Sequence, residues 1–277
     1  MPVIALTQEM GSLAKDIAIR LADEMKLAML RHEVVEHVAS RMHVSKSLIT
    51  RLREGKAGMI ERARADQRSM AVYSAEEVLD AAAGGNIVLR GWGATCLLRP
   101  VPHAICVRIT RPFEKRVEWL MNHLETDDAE AAADEVRRSD QAHASRMHAV
   151  FGVTWGDPLL YDLVLNTERL TVDSCVQLIR DIAARPEFAE TPQSQALVQG
   201  MALEAHITSA LIADDDTHDV RVTIESRNGI VTLTGIVLSD QERARTEQVA
   251  AGVEGVKSVD NQLRVMARAN LFKASKP

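Results

Sequence analysis

The chain has 277 residues, of which 46% are hydrophobic and 26% are charged, and its formal net charge is -6. This length suits one medium α/β domain together with a small domain, and the composition is that of an ordinary folded, soluble protein. The negative charge argues against a protein coated in nucleic acid, although it leaves room for a local basic patch.

The three cysteines, Cys96, Cys106 and Cys175, lie in apolar segments. An odd number of such thiols is typical of reduced core residues in a reducing compartment, and not of a disulfide framework or a zinc site. The amino terminus has no basic segment followed by an apolar run, and no apolar stretch approaches the roughly 20 residues of a membrane span. We therefore predict a cytoplasmic protein with no transmembrane segment and no metal site.

Short apolar strands alternate with helices in the first part of the chain. A strand at residues 3–6 is followed by Gly11 and Ser12, and then by a helix whose apolar residues recur every four positions. Further strands are predicted at residues 86–90, 104–109 and 163–165. This alternation favours an α/β fold with a parallel sheet and helices on both of its faces.

A stretch with two prolines and little periodicity separates a second pattern from the first. We predict a first domain at residues 1–185, a linker at 186–194, a second domain at 195–268 and a tail at 269–277. In the second domain a helix precedes a strand of period 2, and Asn228-Gly229 then predicts a two-residue hairpin because both residues tolerate positive φ. A second helix and a final strand complete an αββαβ unit.

The glycine turn after the first strand can present backbone N–H groups and a helix dipole to a phosphate. A complete phosphate loop reads GxxxxGK[ST], because its lysine reaches the terminal phosphates and its hydroxyl holds magnesium. Here residues 7–18 read TQEMGSLAKDIA, so Lys15 is displaced and no Ser or Thr follows it. Gly11, Ser12, Lys15 and Asp16 are the candidate residues for binding the phosphates of a nucleotide.

Four stretches of the first domain resemble the cytidylate kinase-like family of P-loop proteins. They are TQEMGSLAKDIAIRLADEMK at residues 7–26, LRGWG at 89–93, VRITRPFEKRVEWL at 107–120 and FGVTWGDPLLYDLVLNT at 151–167. The last stretch is close to the family's FGVDWDDPLLYDLVLNT and carries the most weight. The resemblance covers residues 3–184 and implies the parallel-sheet fold of a nucleoside-monophosphate kinase.

The resemblance also implies roles for several polar residues. Arg116, Arg137 and Arg146 fall where the family places arginines that close over transferring phosphates and neutralise the charge that develops there. Arg90 and Asp140 are the implied substrate-binding residues. An active protein of this kind would be an ATP-dependent kinase of CMP or dCMP that uses Mg²⁺. Without the resemblance, the same arginines are typical of solvent-facing charges on long helices.

Two departures from the family pattern concern phosphate and substrate binding. The family has two glycines where this chain has Leu13 and Ala14, which removes backbone freedom where phosphates approach. Arg31 stands where the family has an acidic residue that helps to position the acceptor nucleotide. The fold tolerates both changes, whereas catalysis depends on the residues that they alter.

A basic stretch at residues 41–64 offers a different interpretation. It holds seven Arg and Lys residues and two Glu residues, a local balance of +5. Its sequence resembles the turn and second helix of a helix-turn-helix, with Ser45, Ser47 and Arg51 as potential major-groove contacts. The kinase-like family has a helix pair at the same place, so we rank DNA binding below a surface helix pair or a phosphate-facing flap.

The second domain resembles the BON domain over residues 204–266. The resemblance rests on the run NG-x-V-x-L-x-G-x-V at residues 228–237 and on GV-x-x-V-x-N at residues 255–261. It implies a binding or attachment module with no chemistry of its own, whose partner is a protein or a phospholipid.

Three functions stay open at this point. The first is a kinase homologue that binds a nucleotide or another phosphate ligand, has weak or lost kinase activity, and is tethered to a BON module. The second is a non-enzymatic scaffold or sensor that acts through protein or membrane-surface contacts, and the third is a DNA-binding regulator. Retention of Arg116, Arg137 and Arg146 favours the first function, and the missing lysine–hydroxyl pair favours weak or absent catalysis.

Overall fold

The computed structural model describes residues 2–30 and 33–266. The chain divides into two compact units, Met1–Gln199 and Gly200–Pro277. Arg31, which the sequence analysis singled out, and the predicted tail at residues 269–277 lie outside the described residues.

The first unit contains a five-stranded parallel sheet. Its strands are β1 (Val3–Gln8), β2 (Ala28–Leu30), β3 (Ile87–Arg90), β4 (Ala104–Thr110) and β5 (Leu163–Asn166). They lie in the order β2-β3-β1-β4-β5, so β1 is central and pairs with β3 on one side and β4 on the other. The predicted parallel sheet is confirmed, and the carboxyl ends of its strands meet at one edge.

Helices surround this sheet. They are α1 (Ala14–Met25), α2 (Glu33–Arg41), α3 (Lys46–Glu54), α4 (Met59–Arg64), α5 (Gln67–Ala83), α6 (Ala94–Leu97), α7 (Phe113–Leu124), α8 (Ala129–Phe151) and α9 (Val172–Ala183). The buried side chains of β1, β4, α1 and α9 form one hydrophobic core. In α1, Ile17 and Leu21 lie one turn apart and are fully buried in it, as the four-residue apolar spacing predicts.

Strand β2 has no counterpart in the sequence analysis. It is three residues long, lies at the edge of the sheet and is partly exposed, so its residues show neither a buried apolar run nor a clear alternation. Its pairing with β3, Ala28 opposite Ile87, depends on contacts distant in sequence.

The second unit contains a three-stranded sheet. Its elements, with the helix that leads into it, are α10 (Pro192–Ala213), β6 (Val222–Arg227), β7 (Ile230–Val237), α11 (Asp240–Ala251) and β8 (Ser258–Val265). β6 and β7 form an antiparallel hairpin, and Asn228 and Gly229 at its turn have φ of 54° and 83°. β7 also pairs with β8 in parallel, and Ile207, Leu233 and Leu263 meet in the core beneath. The predicted αββαβ unit is confirmed.

The stretch predicted as a linker carries secondary structure. A 3-10 turn covers Pro186–Phe188, and α10 begins at Pro192. Near the start of α10, Ser194 Oγ lies 2.7 Å from Nδ1 of the buried His103, and Gln195 Nε2 donates a hydrogen bond of 2.9 Å to the carbonyl oxygen of Ala83. The first turn of α10 is therefore fixed within the first unit.

Helix α10 is the one helix among residues 2–30 and 33–266 that is long and apolar enough to cross a membrane, with a mean hydropathy of 1.3. This finding concerns its length and composition only, and the core helix of a soluble protein meets the same criteria. In the second unit, Ile207 and Leu211 of α10 are buried against the sheet.

Gly200 allows α10 to approach β6, because a Cβ at this position would lie 2.8 Å from the backbone carbonyl oxygen of Ser226. We expect Gly200→Ala to lower the free energy of unfolding of the second unit by about 1–3 kcal/mol, since the backbone must move to relieve this overlap. Gly252→Ala is the matched control: its added Cβ would make only ordinary contacts, the nearest at 3.5 Å. Amide hydrogen exchange of the β6 and β7 residues measures the effect. Equal protection in the two variants would contradict it.

Candidate functional site

The turn between β1 and α1, where a phosphate loop is expected, has two residues with positive φ. Gly11 has a φ of 76° and Leu13 a φ of 64°. A Cβ on Gly11 would lie 3.1 Å from the carbonyl oxygen of Arg116 and from the ring of Trp119, so this position requires glycine. Leu13 holds a left-handed conformation that costs a non-glycine residue about 1 kcal/mol. Between them the Ser12 hydroxyl is buried, with no hydrogen-bond partner among the described residues.

Lys15 and Asp16 are exposed in the first turn of α1. In a complete phosphate loop, the residue after the lysine supplies the hydroxyl that holds magnesium. Asp16 occupies that position here. Its negative charge acts to raise the pKa of Arg90 at the end of β3, against the larger effect of burial. A carboxylate at this point repels phosphate oxygens. The residues of the turn therefore do not fit magnesium and a nucleoside triphosphate in the manner of a complete phosphate loop.

Glu9, directly after β1, is the centre of a buried charge network. Its Oε1 accepts a hydrogen bond of 2.7 Å from Nη2 of Arg108, and its Oε2 accepts one of 2.6 Å from Oγ1 of Thr110. Nε of Arg116 lies 3.6 Å from the same carboxylate. Because the side chains of Glu9, Arg108 and Arg116 are all nearly buried, this carboxylate is the counter-ion that lets two guanidinium groups leave water.

The guanidinium of Arg116 is fully engaged in this network. It donates two parallel hydrogen bonds to Asp140, of 3.0 and 2.9 Å, and its Nε donates one of 3.1 Å to the carbonyl oxygen of Arg111. Only 5% of the residue is exposed. Such a forked pair satisfies both partners, so neither Arg116 nor Asp140 offers a free charge to a ligand in this conformation.

Arg137 lies near Arg116 but on the surface. Its Nη1 is 2.8 Å from Oδ1 of Asp134, and its guanidinium lies 5.1 Å from the centre of the Phe113 ring. The guanidinium of Arg116 lies 5.7 Å from the same ring. Arg137 and Asp140 also line an open surface pocket of about 550 Å³. The structure therefore brings Arg116, Arg137 and Asp140 together around Phe113.

Arg146, the third predicted catalytic arginine, belongs to a different group, which we call the arginine cluster: Arg53, Arg90 and Arg146. Nη2 of Arg146 donates a hydrogen bond to the carbonyl oxygen of Arg53. Burial, and then the nearby charges of Arg90 and Arg146, lower the pKa of Arg53 to about 10. Burial also lowers the pKa of Arg90 and of Arg146. Among residues 2–30 and 33–266, no carboxylate forms an ion pair with any of the three.

His143 lies beside the arginine cluster. Its ring centre is 4.3 Å from that of Trp155, and its Nε2 is 3.5 Å from Oγ1 of Thr7. Burial lowers the pKa of this imidazole to about 3, and the charges of Arg146, Arg53 and Arg108 act in the same direction. The imidazole is therefore neutral at physiological pH, and it adds no further positive charge to the cluster.

A cavity of about 950 Å³ lies beside the cluster, bounded by residues of α3, α5 and α8. Arg53, Arg146 and His143 line it, together with Arg62, Arg68 and Arg138. No Asp or Glu occurs among its lining residues in the described part of the chain, although the chain as a whole carries a net charge of -6. The volume is in the usual range for small-molecule sites, about 300–1,000 Å³.

The basic stretch considered for DNA binding is largely neutralised. Four of its basic side chains lie close to carboxylates: Lys46 to Glu36, Arg51 to Glu61, Lys56 to Glu54 and Glu135, and Arg41 to Glu76. Ser45, proposed as a groove contact, accepts a hydrogen bond of 3.2 Å from the backbone N–H of Leu48 and so caps α3. The charge available to DNA on this surface is much smaller than the sequence count.

The sequence analysis missed Arg53 and His143 as site residues. Residues four apart share one face of a helix. Arg53 follows the fully buried Ile49 by four positions, and His143 precedes the buried Met147 by four. Each polar side chain therefore lies on the face that its helix turns inward, and this register is the signal that could have found both.

Comparison with known proteins identifies the first unit. The model of the cytidylate kinase-like family matches residues 3–169, more than half of the chain. The chain belongs to the cytidylate kinase-like family. The BON domain matches residues 201–267, so both resemblances stated from the sequence are confirmed. The chain thus joins a P-loop kinase fold to a BON domain.

Two curated proteins share parts of this sequence. The uronate isomerase of Corynebacterium glutamicum is 31% identical over 116 residues, which are 42% of this chain and 22% of the isomerase. The osmotically inducible protein Y of Escherichia coli is 40% identical over 63 residues, which are 23% of this chain and 31% of that protein. The chain spans less than a third of the length of either relative.

Solved structures resemble the fold. An uncharacterised protein from Eubacterium ventriosum aligns with a TM-score of 0.53 at 18% identity, covering 67% of this chain and 100% of that protein. Shikimate kinase from Bacteroides thetaiotaomicron aligns with a TM-score of 0.40 at 16% identity, covering 65% and 97%. At these identities the likeness concerns the fold alone.

The depressed pKa of His143 makes stability depend on pH. The unfolded chain protonates this imidazole near pH 6.5, whereas the folded protein does so only near pH 3, so its contribution to stability is lost as the pH falls between these values. We expect ¹⁵N NMR to show a neutral His143 at pH 5, and Arg146→Gln to raise its pKa. Arg64→Gln, in the exposed part of α4, is the control. A His143 that titrates near pH 6.5 in the wild-type protein would contradict this.

Proposed function

We propose that this protein binds a phosphate-bearing ligand at the arginine cluster and has weak or lost nucleoside-monophosphate kinase activity. Its BON domain then acts as a binding module that attaches the kinase-like unit to a protein or a phospholipid partner. The protein acts in the cytoplasm.

The observation that carries the proposal is that no carboxylate forms a direct ion pair with the arginine cluster among the described residues. The half-buried Arg53 lies near Arg90 and Arg146. The charges of Glu54 and Asp16 partly offset those of Arg53 and Arg90, but no carboxylate of the described residues forms a direct ion pair with any of the three arginines. Like charges that have left water destabilise the protein unless an anion compensates them. Phosphate matches the forked donors of arginine well. A bound phosphate group would therefore supply the missing charge.

Weak or lost phosphoryl transfer is supported by the turn at Gly11. Lys15 is exposed, no hydroxyl follows it, and Asp16 stands in the place of the magnesium-binding residue. Arg116, which by family resemblance would close over the transferring phosphate, already holds Asp140 in a forked pair. The charges that stabilise phosphoryl transfer are thus missing or already paired.

The BON domain presents features of a binding surface. Ile236 and Leu238, at the end of β7, are 63% and 69% exposed. Apolar side chains in this position suit contact with a protein or with the apolar part of a membrane surface.

If the kinase-like unit is active, ATP with Mg²⁺ and a CMP-type acceptor are the substrates that its family membership suggests.

A thermal-shift titration tests the proposed site. The probes are inorganic phosphate, CMP, dCMP, UMP, GTP and ATP, each with and without Mg²⁺. A ligand that binds only the folded protein raises the melting temperature with concentration. We expect at least one phosphate compound to do so. Arg146→Gln should weaken its binding about tenfold or more, since a charged hydrogen bond is lost, and Arg90→Gln should weaken it because a positive charge beside Arg53 is lost. Arg64→Gln should bind as the wild type does.

The ligand-free melting temperatures show whether each variant is folded, and Arg90→Gln keeps the test valid if Arg146→Gln is not. Binding that survives both substitutions would contradict the site. A coupled assay with ATP, Mg²⁺ and CMP measures transfer directly. Turnover at the rates of an ordinary kinase, about 1–100 s⁻¹, would contradict the proposed loss of activity.

A further inference from the structure

Arg62, Arg68 and Arg138 also line the cavity beside the arginine cluster, but most of its other lining residues are apolar. Six of its lining residues show this, and they come from four helices: Leu52, Ala71, Ala75, Leu97, Val150 and Phe151. A phosphate group alone occupies a small part of about 950 Å³. The rest of the cavity therefore suits an organic body attached to the phosphate.

The uncharged polar groups of the lining offer little to a nucleobase. The Ser74 hydroxyl donates to the carbonyl oxygen of Met70 at 2.6 Å, so its proton is already used. Gln67 at the start of α5, and Gln141 and Ser145 on α8, are exposed to water. Cytosine presents an amino group that acidic side chains accept well, and no carboxylate is found among the described residues that line the cavity.

Burial of apolar surface then decides which ligand body is favoured. Each methylene group that leaves water for an apolar wall strengthens binding by about fourfold. A polar base placed against the same wall would lose hydrogen bonds to water without replacing them. The lining thus favours a body made of hydrocarbon over one made of hydrogen-bonding edges.

We propose that the ligand of this cavity is a phosphate monoester of an apolar alcohol, such as a prenyl or alkyl phosphate. This inference rests on the proposed function, because its phosphate is held by the arginine cluster. Arg53 and Arg146 bind the head group, and the chain extends along the wall formed by α5 and the end of α8, past Ala71 and Val150. The site selects the ligand by the apolar character of its body.

Isothermal titration of the full chain with three probes tests the inference. The probes are geranyl phosphate below its aggregation threshold, CMP and inorganic phosphate. We expect geranyl phosphate to bind at least tenfold more tightly than either of the others. The double variant Ala71→Asn, Val150→Asn places amides on the wall at one half-buried and one exposed position. It should weaken geranyl phosphate tenfold or more and leave inorganic phosphate within about twofold, since each lost methylene contact is worth about fourfold.

The outcomes separate the two proposals. CMP binding as tightly as geranyl phosphate, or a double variant that keeps full affinity for geranyl phosphate, overturns the apolar ligand and leaves the phosphate site intact. Failure of all three probes to bind, or binding of geranyl phosphate that Arg146→Gln leaves unchanged, overturns the phosphate site itself. If the double variant has a lowered melting temperature without ligand, the single variant Val150→Thr replaces it, because it is nearly isosteric and exposed.

Discussion

The arrangement of the first unit depends on how positive charge is balanced where the strands of its sheet end. Glu9 compensates Arg108 and Arg116 within the protein, and Asp140 completes the pairing of Arg116. This network is closed, because every charged partner is present in the same chain. The arginine cluster is the opposite case, since Arg53, Arg90 and Arg146 share a half-buried place with no carboxylate paired to them among the described residues. In the proposed function, an external anion supplies the direct partner that the cluster lacks.

A nucleoside-monophosphate kinase both binds phosphate groups and transfers one of them. In this chain the residues suited to these two tasks differ in how well they are preserved. The turn after β1 has a glycine of positive φ at position 11, but Leu13 is also left-handed and Asp16 stands where a complete phosphate loop has its magnesium-binding hydroxyl. The cavity beside the arginine cluster keeps its cationic lining and a volume that suits a small molecule. These differences are the reason why the proposed function keeps phosphate binding and gives up efficient phosphoryl transfer.

The sequence predicted most of the fold because its long elements have clear periods. The helix with Ile17 and Leu21 and the hairpin at Asn228-Gly229 follow from local spacing and turn chemistry. β2 could not be predicted, since three partly exposed residues at a sheet edge have no period. The site was predicted less well: by charge alone Arg146 looked equivalent to Arg116. Only the tertiary structure shows that Asp140 neutralises Arg116 while Arg146 meets Arg53.

A crystal structure of the protein grown with tungstate, a phosphate analogue with strong anomalous scattering, shows where the protein binds an anion. We expect an anomalous peak within hydrogen-bond distance of the guanidinium groups of Arg53 and Arg146, at the end of the cavity. His143 should remain beside it, because its imidazole is the neighbour of both arginines. A peak found only at the turn of Gly11, with the cavity open and the arginine cluster unliganded, would contradict anion binding at the cluster.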